Sequence, residues 1–331
     1  MTNKIIRTIG LFSAAPGQKD ADKLKQLKEK AVTVGFEVQT IRLISQNLGF
    51  KEFERKIKDP EILLGLGTID YQKALTSIEE FYRSERIDFN INSTNPQLLF
   101  ELMKHQPAKT FHFTYVFENP DSSPYFPSAN YAQDGFSVGL QSTDLSEDCK
   151  NLDEYLEKLK AVYQELMNLF DAETDFLGID SSIAPLFEGK SSFVNLVKRL
   201  SGDFKAAATT DFFVRITNFI KNDNPKPIGL CGLMLPALED FELAAEYEKG
   251  EFSIERNIFL SLHSGLGIDT YPIGIDEKPE RVEQVLKLLE ALAEKHNKPL
   301  SARFVSDGKA RIGQKTDFKN QYLKDVVVRS L

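Results

Sequence analysis

The chain has 331 residues, 41% of them hydrophobic and 27% charged, the balance of a globular protein long enough for one large or two ordinary domains. Its formal net charge is −8, which argues against a sequence-independent grip on a nucleic-acid backbone, since that grip needs a surplus of Lys and Arg. No window approaches the roughly 18 apolar residues that cross a bilayer, so the expected setting is the cytoplasm, with no membrane partner.

The N-terminal segment MTNKIIRTIGLFSAAPG has Lys4 and an apolar stretch, but Arg7 interrupts it and leaves IGLFSAA, at the lower edge of a signal-peptide core. Residues 4–12 therefore read as a first strand, followed by an amphipathic helix over 20–35 and a strand over 36–44. A helix over 71–85 leads to a short strand, FNIN, at 89–92. Helical PQLLFELMKH at 96–105 precedes TFHFTYVF at 110–117, which alternates its faces as a strand does, and GFSVGLQS at 135–142 follows as another. A polar stretch, STDLSEDCKNLD, ends the first half and puts a seam at 141–152.

The second half opens on a long amphipathic helix over 153–170, then a strand, TDFLGID, at 174–180 and a helix, FVNLVKRLSG, at 193–202. Residues 204–222 are helical or mixed. PIGLCGLML at 227–235 reads as a strand and 237–250 as a helix. NIFLSLH at 257–263 and IDTYPIGI at 268–275 read as strands, 280–296 as a strong helix, and LSARFV at 300–305 and DVVVRSL at 325–331 as the last strands. Strands separated by helices of this length indicate crossover units and a largely parallel sheet.

Two cysteines, Cys149 and Cys231, are too few for a disulfide framework or a cysteine-rich zinc site. The four histidines, His105, His112, His263 and His296, show no metal-ligand spacing, so no metal site is expected. Ala184 to Ser191, with Gly189-Lys190-Ser191 at its end, fits a loose phosphate-cradling loop between a strand and a helix. Pro185, Leu186, Phe187 and Glu188 are the wrong residues for it: Pro has no N–H, and Glu repels polyphosphate. A helix cap at Ser191 or Ser192 is the simpler reading. Just upstream, Asp180 with Ser181 and Ser182 ends an apolar strand, where α/β folds place ligand-binding groups.

His263, Ser264 and Asp269 cluster among glycines after another apolar run, though without the G-x-S-x-G elbow of a hydrolase. Arg303, Lys309, Arg311 and Lys315 form a local cationic group around the turn that Ser306-Asp307-Gly308 begins, suited to a carboxylate or phosphate. Cys231, flanked by glycines on an apolar run, reads first as a buried small hydrophobe and second as a nucleophile or radical position. Asn90, Asn92, Asn95 and Tyr125 offer amide and aromatic contacts at strand ends.

RTIGLF, FNINST, SPYFPSA and GFSVGLQ in the first half, and GIDSSIAPL, GLMLPALED, HSGLGIDTYPI and KPLSARFVSDGKARIG in the second, carry a resemblance. In these residues the chain resembles the family called domain of unknown function 711, over essentially its whole length. The resemblance implies a pyruvate formate-lyase-like fold: a single ten-stranded α/β barrel of two half-barrels, about 1–150 and 151–331, with a loop entering the interior. The glycyl radical enzymes of that fold carry a radical Gly near the C-terminus and a Cys on the central loop. This chain departs from them, because KDVVVRSL lacks an Arg-Val-x-Gly-aromatic motif and Cys231 lies in a strand-like segment. Glycyl radical chemistry is not carried over, and the family lends no reaction and no cofactor.

The leading reading is an enzyme acting on a small carboxylated or phosphorylated metabolite bound inside the barrel. Asp180, His263 and Asp269 are its acid/base candidates, with Ser181, Ser182 and Ser264 beside them. Arg303, Lys309 and Arg311 would hold the anion, and Asp307, Asn90 and Tyr125 would touch the rest of the ligand; Cys231 and Lys190 complete the set. The competing class is a non-catalytic ligand-binding or assembly protein on a degenerate enzyme fold, and a further alternative is an ATP-dependent enzyme using 184–191. A homo-oligomer is left open.

Overall fold

A computed structural model describes residues 4–331; the first three residues of the N-terminal segment lie outside the described ones. The first half alternates strands and helices: β1 (Lys4–Phe12), α1 (Gln18–Thr33), β2 (Phe36–Ile44), α2 (Phe50–Lys56), β3 (Ile62–Thr68), α3 (Tyr71–Thr76), α4 (Ile78–Arg83), β4 (Ile87–Ile91), α5 (Gln97–His105) and β5 (Phe113–Phe117). The second continues with β6 (Gly135–Gln141), α6 (Leu152–Phe170), β7 (Phe176–Asp180), α7 (Phe193–Ser201), α8 (Phe204–Ala207), α9 (Phe212–Asn222), α10 (Phe241–Glu248), α11 (Ile254–Ser261), β8 (Gly267–Pro272), α12 (Pro279–His296) and β9 (Leu300–Val305). The long helices follow their local signals. In α6, Asn151 caps the N-terminus by accepting from the Glu154 N–H, and Leu152, Tyr155, Leu159, Val162, Leu166 and Phe170 bury one face at helical spacing.

The strands form one nine-stranded sheet in the order β7-β6-β1-β2-β3-β4-β5-β9-β8. Strands β1 to β5 are mutually parallel, as are β6 with β7 and β8 with β9; the β1–β6 and β5–β9 junctions are antiparallel. The mixed α/β class and the largely parallel sheet agree with the sequence pattern. β4, β5 and β6 are buried along their full lengths, as expected of strands covered on both faces.

Several expectations need correction. The sheet is not a closed ring of ten strands: β7 and β8 are its edges. PIGLCGLML forms no regular strand. It runs between those edges and touches both by isolated parallel bridges, Ile179 with Pro227 and Ile183 with Leu233 on one side, Leu233 with Gly265 and Pro236 with Asp269 on the other. Pro227 at its start and Pro236 just after it lack an N–H for a ladder, and Gly229 and Cys231 take φ of 75° and 43°, which breaks the extended run. Strand direction reverses between β5 and β6, at 118–134, because β6 is antiparallel to β1 and parallel to β7. The polar stretch 141–152 opens on a buried 3₁₀ turn, Thr143–Ser146, whose Ser146 hydroxyl donates to the Thr143 carbonyl, and then comes to the surface at Glu147, Asp148 and Lys150.

NIFLSLH belongs to helix α11, where Ile254, Asn257, Leu260 and Ser261 turn inward at helical rather than alternating spacing. DVVVRSL makes a single antiparallel bridge, Lys315 with Val327, and no strand. Conversely, β3 (ILLGLGT) and α2 escape the sequence reading. Glycines at 65 and 67 interrupt the β3 pattern, and α2 has only seven residues.

The helices pack on one face of the sheet and share its main apolar core. On the other face lies the loop 122–131. Phe126, Ala129 and Tyr131 pack there with Phe12 and Ile44 in a separate cluster. The loop presses so closely on the strands that side chains are excluded beneath it: a Cβ at Gly10 would stand 2.8 Å from Pro124, at Gly65 2.7 Å from Phe126, and at Gly139 2.5 Å from Tyr125. Polar contacts hold it down. The Tyr125 hydroxyl donates to the Leu140 carbonyl (2.8 Å), and the Asn90 amide donates to the carbonyls of Pro127 (2.9 Å) and Ala129 (3.0 Å).

Gly139→Ala is therefore expected to lower the unfolding free energy by about 1–3 kcal/mol, the usual cost of overpacking, read as a fall in the urea midpoint. A wild-type midpoint would mean that Tyr125 does not press on β6.

Candidate functional site

Beside this loop the interior opens into a cavity of about 710 Å³. Three arginines line it: Arg7 from β1, Arg42 from β2 and Arg303 from β9. Arg303 is buried and paired. Its Nε donates to Asp269 Oδ1 at 2.6 Å, and its Nη2 bonds Glu239 Oε2. Burial alone would lower the Arg303 pKa, but Asp269 and Glu239 outweigh it and hold the group above its ordinary value. Arg7 is half-satisfied, with Nη1 donating to Gln39 Oε1 (3.0 Å) and Nη2 3.9 Å from Glu239 Oε1.

Arg42 differs from both. Its guanidinium stacks on the Phe126 ring, 4.1 Å from the centroid, and its Nε donates to Thr40 Oγ1 at 3.3 Å. Among the described residues it has no ion-pair partner within 4.0 Å, and its two terminal nitrogens donate to no protein atom. Burial first, then repulsion from Arg7 and Arg303 against an opposing Asp88, lowers its pKa to about 10. The group is still charged at neutral pH. A second titratable pair faces the same space: His112 Nδ1 lies 2.9 Å from Asp88 Oδ1.

Of the residues singled out from the sequence, Asp269, Arg303 and Tyr125 line this cavity. Asp180 does not. It is fully buried and accepts from Ser123 Oγ (2.7 Å), Ser182 Oγ (2.6 Å) and the N–H groups of Ser182, Leu230 and Cys231. That carboxylate ties the interior loop, the end of β7 and the 228–232 segment together. Gly229 turns at φ 75° beside it, where any side chain would strike Asp180 Oδ2. Ser181 donates to the Ile220 carbonyl and Ser182 accepts from the Gly232 N–H.

His263 bonds Ser264 Oγ (2.8 Å) near α9, away from the cavity, and burial followed by Lys298 lowers its pKa. Asn90 is spent on the loop carbonyls. The Cys231 thiol is buried and pushed up to about 11 by burial and by Asp180, which makes it a poor nucleophile. Lys309, Arg311 and Lys315 are exposed, and Asp307 accepts three backbone N–H bonds within their loop (Lys309, Ala310, Asp317). Of the expected anion grip, only Arg303 faces the interior.

The phosphate-loop reading meets a specific obstacle. The N-terminus of α7 already holds a carboxylate: Asp240 Oδ2 accepts from Phe193 N (2.9 Å) and Val194 N (3.5 Å), while Ser192 Oγ caps Asn195 N. Lys190 lies 3.5 Å from Glu147. A phosphate there would have to displace Asp240.

Arg7, Arg42, Asp88, His112 and Glu239 are missed by motif reasoning. The available signal was a lone arginine inside each of two otherwise strand-like runs, KIIRTIGLF and FEVQTIRLI. Among the described residues, no group of three or more His, Cys, Asp or Glu side chains is placed to hold a metal ion, and no helix is long and apolar enough to cross a membrane.

A family model described as Uncharacterised ACR (DUF711) matches residues 99–319, more than half of the chain. No curated protein matches it.

Asp240 also generates a pH prediction. Burial, opposed by its hydrogen bonds, raises its pKa from 3.8 to about 6. The folded state therefore holds a proton that the unfolded chain has released, so unfolding free energy should fall as pH rises through that window. Carboxyl ¹³C titration should place the Asp240 midpoint near 6, and Asp240→Asn should flatten the slope of stability against pH there. A midpoint near 4 would refute the assignment.

Proposed function

The chain belongs to the DUF711 family, and we propose that it is an enzyme whose substrate is a small carboxylated or phosphorylated metabolite held in the interior cavity. The observation that carries this reading is Arg42. A guanidinium with one face covered by Phe126 keeps its in-plane N–H edge free, and that edge matches the two oxygens of a carboxylate or phosphate. Arg42 is half-buried, so its open edge meets only solvent in the cavity, and an incoming anion displaces water there rather than a protein bond. Arg7 adds a second positive charge beside it.

The proton-transfer groups on this reading are Asp269 and the His112–Asp88 pair. Asp269 gives Oδ1 to Arg303, and its Oδ2 makes no protein hydrogen bond among the described residues. Asp88 fixes one ring nitrogen of His112 and leaves the other for a ligand. The same reading treats the whole chain as one pyruvate formate-lyase-like barrel, in which residues 227–240 serve as an irregular tenth stave. The isolated bridges to both sheet edges support that.

The test is thermal denaturation with acetate and inorganic phosphate, since a ligand that binds only the folded state stabilises it by about 2.7 kcal/mol at a hundredfold excess over Kd. Wild type and a Lys309→Ala/Arg311→Ala double variant should be stabilised, and Arg42→Gln should not. Equal stabilisation of Arg42→Gln, or none of wild type by either anion, overturns the proposal.

A further inference from the structure

We infer that the ligand is a monoanion with an aromatic body, an arylalkyl carboxylate, whose carboxylate meets Arg42 and whose ring lies among the aromatic side chains at the cavity mouth. The inference rests on the anion reading above and deepens it.

Two observations carry it. The first is charge. The lining brings three guanidinium groups, Arg7, Arg42 and Arg303, against four carboxylates, Glu37, Asp88, Glu239 and Asp269. Arg303 is already taken by Asp269 and Glu239, and Arg7 leans toward Glu239. One open cationic edge remains, that of Arg42. A second anionic group, as in a dicarboxylate or a nucleotide, would meet carboxylates of its own sign.

The second is the shape and chemistry of the rest of the lining. At 710 Å³ the cavity far exceeds the needs of an acetate or a phosphate; sites of about 300–1,000 Å³ take drug-sized ligands. At the mouth, Tyr322 lies nearly parallel to Phe187 (centroids 5.7 Å apart, 17° between planes) and to Phe111 (6.5 Å, 10°). Tyr322 is 38% exposed, and the other two rings are partly exposed. Phe187 holds its place at a positive φ of 62°, a conformation costly for a bulky residue. Its backbone is pinned on both sides, Phe187 N to the Glu239 carbonyl (2.6 Å) and Phe241 N to the Phe187 carbonyl (2.8 Å). Aligned, partly exposed rings at a cavity mouth suit stacking by a planar group.

Titration calorimetry with acetate, succinate, phosphate and 3-phenylpropionate tests this. 3-Phenylpropionate should bind at least about tenfold tighter than acetate through the added apolar contact, and succinate no tighter than acetate. Tyr322→Ala should erase the advantage of the phenyl group while acetate affinity stays; Arg42→Gln should abolish binding of both. If acetate and phosphate bind but the phenyl group adds nothing, or Tyr322→Ala keeps its advantage, this inference falls and the anion reading stands. If succinate binds best, the monoanion assignment falls. Absence of binding by every anion overturns both.

Discussion

The inner face of the sheet is governed by one steric constraint: the loop carrying Pro124, Tyr125 and Phe126 occupies space that inward side chains of β1, β3 and β6 would otherwise fill. Gly10, Gly65 and Gly139 give up those side chains, and the closeness of the fit leaves no room for a methyl group. With the loop seated, the rest of the interior is walled rather than packed solid. Tyr125 and Phe126 become part of the wall of the cavity, and Phe126 becomes the platform on which Arg42 lies. Asp180, Asn90 and Tyr125 earn their burial by fastening this loop, which is why polar residues that look catalytic in sequence are saturated with hydrogen bonds in the fold.

The charges around the cavity follow from the same enclosure. Desolvation penalises the buried guanidinium of Arg303 and the half-buried ones of Arg7 and Arg42, and the three respond differently because their partners differ. Two carboxylates hold Arg303 firmly charged, one distant carboxylate and an amide partly satisfy Arg7, and Arg42 has only a hydroxyl and a ring. Asp180 and Asp269 make the parallel contrast among acids. Both follow apolar runs, yet five protein donors surround the first, while the second keeps an oxygen for the cavity.

Much of the architecture was legible in the linear chain. The strands at 4–12, 36–44 and 300–305 and the helices at 153–170 and 280–296 show clear periodicity, and the crossover pattern pointed to a parallel sheet. Failures had physical causes. PIGLCGLML is apolar like a strand, but its positive-φ residues, Gly229 and Cys231, deny it a continuous ladder. NIFLSLH covers the second half of a capped helix and the turn after it, and the cap that starts the helix, Ser253, lies outside the run. ILLGLGT hides a strand behind glycines.

Side-chain spacing alone fixes the long, strongly periodic elements, because helical and alternating periods are local properties of the chain; short or glycine-broken segments escape it. Only the tertiary structure decided which polar groups share a space. Arg7 meets Glu239, Arg303 meets Asp269, and Arg42 lies over Phe126 because sheet order and register bring strands from opposite ends of the chain to one cavity. Asp180 and His263, equally prominent as motifs, face hydrogen-bond partners instead. Which way a strand-end side chain faces, and what meets it there, is set by the packing of separate segments, and no local spacing encodes it.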